Sequence, residues 1–409
     1  MKVLQVFNQY RSLFNGEEQV VLRTQKLLQG QGIECDLWMP SSRDIQGARQ
    51  KAGAFLSGIY SFRAAREMRD RLRSGRPDIV HCHNLYPLLS PSVLAACRKA
   101  GVPVVISVHN QGLTCPTADH THQGQMCLKC YGGKEHHCVL QNCRGNLIES
   151  VAYAVRSKLA RKLGWFSRNA TYLIALTEFA RQWIADSGYD RNWIKVLHNF
   201  VDQIHEPVDP AMGGYVAFAG RLSPEKDVAT LIAAAALLPN VEFQIAGDGP
   251  SGEELRASAP SNVIFRGRIS PDEMAGFYRG SRCLVLPSRA FEMCPLVITE
   301  AMSHGVPVVA SAIGGVDELV DDEETGLLFR PGDASDLATK LGTIWNHPDM
   351  CRELGAAGHE KAIREYSVDA YVEKLLTIYR QAAERVHGEV PEAFAVAKQR
   401  CAAPSVGSH

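Results

Sequence analysis

The chain has 409 residues, 44 Lys and Arg against 44 Asp and Glu, 45% apolar residues and 22% charged ones. That length suits two or three ordinary domains of a globular protein. Balanced charge argues against a nucleic-acid partner, and no apolar run approaches the roughly 18 residues of a membrane-spanning helix.

Met1-Lys2-Val3-Leu4-Gln5-Val6-Phe7 is too short an apolar run for a secretory signal and reads as a buried first strand. A cytoplasmic protein is therefore expected. Short apolar runs then alternate with helical patterns. The predicted strands of the first half are Val3–Phe7, Ile33–Trp38, Asp78–His83, Pro103–His109, Tyr172–Leu176 and Ile194–Leu197. Between the first two, Val20, Val21, Leu27 and Leu28 share one helical face. The second half repeats the scheme with Tyr215–Ala219, Val241–Ala246, Val263–Phe265, Cys283–Leu286, Pro307–Ala310 and Gly326–Phe329. Strands alternating with helices predict parallel sheets covered on both faces. The fold class is α/β, with two doubly wound Rossmann-like domains whose ligands gather at the carboxyl ends of the strands. The expected divisions are an N-terminal domain over 1–202, a C-terminal domain over 203–366, a helix over 367–385 and a disordered tail over 386–409.

Chemistry-bearing residues stand at strand ends. Gly220-Arg221-Leu222-Ser223-Pro224-Glu225-Lys226 follows the strand Tyr215–Ala219. An Arg offers a planar fork for phosphate oxygens and a Lys a compact charge. The plainer alternative is a solvated pair beside a turn, with Glu225 neutralising one cation. Glu292 and Glu300 stand eight residues apart, Glu292 in a loop and Glu300 opening a helix with Ala301, Met302 and Val306. Carboxylates accept bonds from vicinal hydroxyls; a loop acid and a charge complementing a helix dipole are the alternatives. Leu296 and Val297 begin the same helix, where free N–H groups favour anions. Pro295 before them has no N–H to give. Gly247-Asp248-Gly249-Pro250 and Gly267-Arg268 follow further strands and read either as nucleotide-lining loops or as plain turns. In the first half, Asn15-Gly16 precedes a helix, His109 ends a strand, and His81 and His83 end another.

Five of the twelve cysteines, Cys115, Cys127, Cys130, Cys138 and Cys143, lie in the insertion 115–143. Cys127-Leu128-Lys129-Cys130 approaches structural zinc spacing, with Cys115, Cys127, Cys130 and Cys143 as the favoured tetrad. His120, His122, His136, His137 and Cys138 are alternative ligands, an iron–sulfur cluster fits less simply, and a metal-free loop stays open. Two basic groups follow: nine Arg or Lys against three acids between Arg43 and Arg76, then Arg156, Lys158, Arg161, Lys162 and Arg168 beside Trp165 and Phe166. They read as an anionic membrane surface contact or as solvated helix faces.

From Val3 to about Tyr379, and above all from Gly220 to Thr325, the chain resembles the family-4 retaining glycosyltransferases of the GT-B fold. The resemblance implies two domains facing across a cleft, with the 367–385 helix crossing back to the first. It implies donor binding by Arg221, Lys226, Glu292 and His109, supported by Gly16, Gly220, Asp248, Gly249, Arg268, Leu296, Val297 and Glu300. Glu300 would take the ribose hydroxyls, Glu292 the transferred sugar. The implied donor is a UDP- or GDP-linked sugar and the acceptor a glycan or lipid-linked saccharide, with no metal or other cofactor needed for catalysis. A subset of that family carries a similar cysteine-rich loop. A nucleotide-sugar 2-epimerase of the same fold and a non-catalytic sugar-nucleotide-binding subunit are the rival readings.

Overall fold

The computed structural model describes residues 1–9, 16–42, 47, 53, 55 and 57–395. The chain divides into two compact units. Unit 1 joins Met1–Asp119, Lys129–Leu197 and the segment from Tyr371 onward; unit 2 joins His120–Leu128 and His198–Ala370.

The strands in chain order begin with β1 Lys2–Val6, β2 Glu34–Trp38, β3 Ile79–Cys82 and β4 Val104–Val108. A short antiparallel hairpin follows, β5 Thr121–His122 with β6 Gln125–Met126. Then come β7 Tyr172–Ala175 and β8 Ile194–Val196, and in unit 2 β9 Tyr215–Ala219, β10 Phe243–Ala246, β11 Val263–Gly267, β12 Ser281–Leu286, β13 Val308–Ser311 and β14 Gly326–Phe329. Unit 1 holds a six-stranded sheet in the order β2-β1-β3-β4-β7-β8, and unit 2 one in the order β11-β10-β9-β12-β13-β14. Both are parallel throughout. These are the strands expected from the sequence, displaced by a residue or two at their ends.

Parallel strands covered on both faces read as unbroken apolar runs, and every residue of β3 and β4 is buried. In unit 2 Phe218, Phe243, Ile245 and Val285 of the sheet pack with Leu231, Leu337 and Leu341 of the covering helices. Each such burial stabilises by about 1.5–3 kcal/mol. Local signals end the helices as they should: Asp333 accepts from the N–H groups of Ser335 and Asp336, and Ser270 forms a capping box with Glu273 ahead of Pro271.

Strand order reverses once in each sheet. In unit 2, β10 and β11 lie beyond β9, and β13 and β14 beyond β12; in unit 1 the reversal falls between β1 and β3. Helices on the two sides of a reversal diverge, which opens a crevice at the carboxyl ends of the central strands.

Two placements differ from expectation. The insertion 115–143 was assigned whole to the N-terminal domain, yet His120–Leu128 belongs to unit 2. The hairpin's turn explains why. Gly124 has φ +75 and lies so close to Pro224 that a Cβ would stand 2.6 Å from the proline's own. The expected tail is helical over Glu392–Ala395, where Phe394 is buried; residues 396–409 lie outside the described residues. The helix Val368–His387 is bonded into unit 1 by Tyr371, 3.1 Å from the Thr24 hydroxyl, and by Tyr379, 2.7 Å from His81. Among the described residues no helix is long and apolar enough to cross a membrane.

Candidate functional site

β9 and β12 are neighbours across the reversal in unit 2, and each ends in a loop. Residues 220–226 follow β9 and close in a short turn, Pro224–Lys226. Residues 287–295 follow β12. The two loops meet at one ion pair, Lys226 Nζ to Glu292 Oε1 at 2.6 Å, whose side chains are only 25% and 16% exposed. The Ser288 hydroxyl donates to the same carboxylate oxygen. A second pair stands beside the first: Arg289 Nε lies 2.6 Å from Asp227 Oδ2, and the Arg289 N–H donates to the Glu225 carbonyl at 2.9 Å. Burial raises the Asp227 pKa, against the lowering effects of Thr230 and Arg289.

Glu292 is gripped from its other side by the loop after β13. The Gly315 N–H donates to the Glu292 carbonyl at 2.8 Å. Gly314 has φ +69, and a Cβ there would come within 2.8 Å of the same carbonyl oxygen. The position therefore needs glycine twice over, for its backbone angle and for its clearance.

The loops after β9, β10 and β11 are laced together. Gly220 N–H donates to Ala246, Leu222 N–H to Asp248, and Gly247 N–H to Gly267. Gly247 has φ +142, and a Cβ would stand 1.8 Å from the Gly220 carbonyl oxygen; Gly249 presses likewise on Leu222. Arg221 projects from this lacework exposed to solvent. Asp248 and Arg268 form a loose surface pair at 3.8 Å.

The helix Leu296–Ser303 starts directly after Pro295, which holds φ −68 and ψ 120. The N–H groups of Leu296 and Val297 lie in its first turn, where no helical carbonyl reaches them. Glu300 does not open this helix, contrary to expectation; it is the fifth residue, because the chain turns helical as soon as Pro295 is passed. Its Oε2 accepts from the Tyr278 hydroxyl at 2.8 Å, so the helix-dipole alternative loses its ground. Of the four side chains that the sequence singles out, Lys226 and Glu292 touch, while Arg221 and Glu300 issue from the same two loop-and-helix segments. Ser288, Arg289, Tyr278 and Gly314 were missed. The clue available was a further arginine, Arg289, in the loop that follows the strand ending at Leu286.

In unit 1, Gly16 opens the helix Gly16–Gly30 and Asn15 lies outside the described residues. His109 follows β4, its Nε2 2.9 Å from His83 Nδ1, and burial lowers its pKa to about 4. His81 is wholly buried between Tyr379 and the Ser107 hydroxyl, 2.8 Å away.

Three cysteines of the insertion lie together. Cys130 and Cys138 pack together beside Ala154, with Cys143 against them. Burial and the neighbouring Cys143, Cys130 and Cys115 push the Cys138 thiol up to about 12. Cys127 closes the hairpin, its N–H donating to the His120 carbonyl at 2.7 Å. Among the described residues no three His, Cys, Asp or Glu side chains stand as a formed metal cage. The basic group is also partly spoken for. Arg161 is bonded to Glu135 at 2.7 Å, Arg156 lies over the rings of Tyr86 and Tyr153, and Phe166 is buried.

Two family models match in tandem, one described as Glycosyltransferase Family 4 over residues 14–203 and one as Glycosyl transferases group 1 over residues 213–347. Each half thus carries a glycosyltransferase domain. The sulfoquinovosyl transferase SQD2 of Arabidopsis thaliana is 34% identical over 150 residues, 36% of this chain and 29% of that protein. A D-inositol 3-phosphate glycosyltransferase of Mycolicibacterium smegmatis is 31% identical over 236 residues, covering 52% of this chain and 53% of that one. The chain thus matches about a third to a half of the length of these relatives. Among solved structures, a sucrose-phosphate synthase from Thermosynechococcus elongatus superposes with a TM-score of 0.68 at 19% identity, over 93% of this chain and 99% of that one. Anabaena Alr3699/HepE, solved in complex with UDP-glucose, superposes at 0.61 with 20% identity, over 95% of this chain and all of that one. These likenesses agree with two parallel-sheet units of GT-B architecture.

Proposed function

We propose that this chain is a retaining glycosyltransferase of the GT-B type. It moves a sugar from a UDP- or GDP-linked donor to a glycan or lipid-linked acceptor in envelope polysaccharide synthesis. The observation that carries the proposal is the Lys226–Glu292 pair at the strand reversal of unit 2. It supplies a cation for phosphate and an acceptor for sugar hydroxyls in one place. Arg221 adds an exposed fork on the same loop, and Leu296 and Val297 add backbone N–H groups for an anion. On donor binding Lys226 exchanges Glu292 for a phosphate oxygen, and Glu292 is released to the sugar. Glu300, already accepting from a tyrosine hydroxyl, takes the ribose. The loops of Asp248 and Arg268 line the base, Gly16 gives the backbone room to approach, and His109 bonds a sugar hydroxyl.

In the reaction the anomeric carbon–phosphate oxygen bond breaks and the acceptor oxygen bonds the same carbon on the same face. The acceptor proton passes to the departing phosphate. Arg221 and Lys226 stabilise the negative charge that grows there, in the place a divalent cation would otherwise fill. Glu292 orients the ring and leaves no carboxylate free as a nucleophile. Incubating the purified chain with UDP- and GDP-sugars and saccharide acceptors, then reading the anomeric configuration of the product by NMR, tests this. A product with the donor's configuration is expected. Interconversion of free nucleotide sugars would favour the epimerase, and donor binding without turnover the non-catalytic subunit.

A specific face supports peripheral membrane contact. Along the helix Leu147–Lys162, Leu147, Ile148, Val151 and Val155 are exposed, Ile148 by 81%. Lys158 and Lys162 continue the exposed stripe toward the helix end. An apolar stripe running into lysines suits an anionic bilayer surface and a lipid-linked acceptor on the cytoplasmic side. For the insertion we propose a structural zinc on Cys115, Cys127, Cys130 and Cys143, with Cys138, which packs with Cys130 and Cys143, as the alternative ligand. Four thiols fit the donor chemistry of that ion, which deprotonates its ligands. Metal analysis should find about one zinc per chain, lost in Cys130→Ser; comparing Cys127→Ser with Cys138→Ser identifies the fourth ligand, and a metal-free wild type would remove the site.

A further inference from the structure

Gln5 is a fully buried amide in β1, beside the buried Val3, Leu4 and Val6. Its Nε2 donates to the Cys35 sulfur at 3.4 Å, which turns Oε1 toward His83 Nε2 at 3.1 Å. An amide oxygen only accepts, so His83 Nε2 carries the hydrogen. A neutral imidazole has one N–H, and His83 Nδ1 must then accept. Its partner at 2.9 Å is His109 Nε2, which therefore donates. The chain of donors ends with a lone pair on His109 Nδ1. The ring centroids of His83 and His109 lie 5.2 Å apart with planes 20° from parallel, so the two rings meet edge to edge through this bond, and His81 covers a face of His83 at 4.2 Å. Burial lowers the pKa of both rings, which keeps each neutral.

We propose that Gln5 is a positioning residue: through His83 it sets His109 in the Nε2–H tautomer, leaving Nδ1 to accept a hydrogen bond from a sugar hydroxyl. The last clause rests on the site reading of His109; the tautomer does not. Cys35 belongs to the device, because it consumes the amide N–H that would otherwise face His83. With the amide reversed, His83 Nδ1 would donate and His109 would present an N–H to the site in place of a lone pair. A hydroxyl of the donor or acceptor sugar would then meet a donor where it needs an acceptor.

The test is long-range proton–nitrogen NMR of the full chain labelled with ¹⁵N-histidine, in the absence of nucleotide sugar, with His109→Gln used to assign the ring. The wild type is expected to show His109 protonated at Nε2 and bare at Nδ1. Gln5→Met keeps the volume but removes the acceptor, and the two His109 nitrogens should move toward averaged positions as the tautomers mix. Gln5→Glu can only accept when ionised, and at a pH high enough to ionise it should restore the wild-type pattern. A wild-type His109 protonated at Nδ1, or a Gln5→Met spectrum identical to wild type, would overturn the proposal. Because no substrate is present, failure to detect glycosyl transfer would count against the proposed function alone. Where transfer is measured, Gln5→Met should lower kcat by at least about tenfold and Gln5→Glu should recover most of it.

Discussion

Lys226 and Glu292 are 66 residues apart in sequence and 2.6 Å apart in space. They are joined because β9 and β12 lie side by side although two strands, β10 and β11, separate them in the chain. Both side chains are more than half buried, so neither charge is idle when its partner is removed. Glu292→Gln should therefore do two things. It should weaken folding slightly by stranding Lys226, and it should cut kcat/KM by about 10²-fold or more, the worth of a lost charge-assisted bond in the transition state. Lys226→Ala should cost a similar factor, and the double variant much less than the product of the two. A strictly multiplicative double variant, measured by the same transfer assay, would mean that the pair does not act as a unit.

The glycines at the loop crossings make a sharper structural prediction. Gly247→Ala meets the Gly220 carbonyl at 1.8 Å and demands φ +142. It should lose at least about 1–3 kcal/mol of stability and distort the Arg221 loop. Gly276→Ala, inside the helix Pro271–Arg279 with open space around it, should instead gain about 0.5–1 kcal/mol. Urea denaturation of the two variants checks both signs.

Stability should fall on mild acidification. His81 has its pKa lowered to about 3 by burial and by His109, and His304 to about 4 by burial and its basic neighbours. Above the ordinary histidine pKa of about 6.5 these rings are neutral in both states. As pH drops below that value the unfolded chain takes up protons that the folded one refuses. Stability is thus present above about pH 6.5 and declines toward pH 4, by up to about 1.4 kcal/mol per pH unit for each such group. The lowered carboxylate Glu273 acts in a lower window. Denaturation midpoints at pH 7, 6 and 5 should descend in the wild type, with a shallower slope in His81→Gln.

The exposed stripe of the helix Leu147–Lys162 predicts binding to anionic vesicles at low salt. Ile148→Glu should abolish flotation with phosphatidylglycerol liposomes, and Lys158→Glu with Lys162→Glu should weaken it and its salt dependence. Wild-type protein that stays in the soluble fraction at low salt would remove the membrane contact from the account.

Much of this was legible from residues alone. The strands announced themselves because β-branched runs such as Val-Val-Ile-Ser-Val of β4 stand between proline or glycine breaks and are buried on both faces. Arg221, Lys226 and Glu292 were legible because charges directly after such runs have nowhere to go but the ends of strands. The supporting set was not. Ser288 and Gly314 matter only through the register of β12 with β13, a pairing no local pattern announces. Tyr278 reaches Glu300 from a different helix. The hairpin His120–Leu128 joined unit 2 through a contact at Pro224 that the cysteine spacing did not encode. Gln5 did leave a trace, an amide in a run of buried apolar residues, and only the three-dimensional neighbours Cys35 and His83 gave it meaning.

The central claim is that Arg221 and Lys226 receive the phosphates of a nucleoside diphosphate sugar at the ends of β9 and β12. Isothermal titration of UDP and GDP into the wild type, Arg221→Ala and Lys226→Ala, at one fixed ionic strength, tests it most directly. The account predicts saturable binding of at least one nucleotide to the wild type, weakened about tenfold or more by either substitution. Binding of equal strength in all three proteins would contradict it, as would none to the wild type.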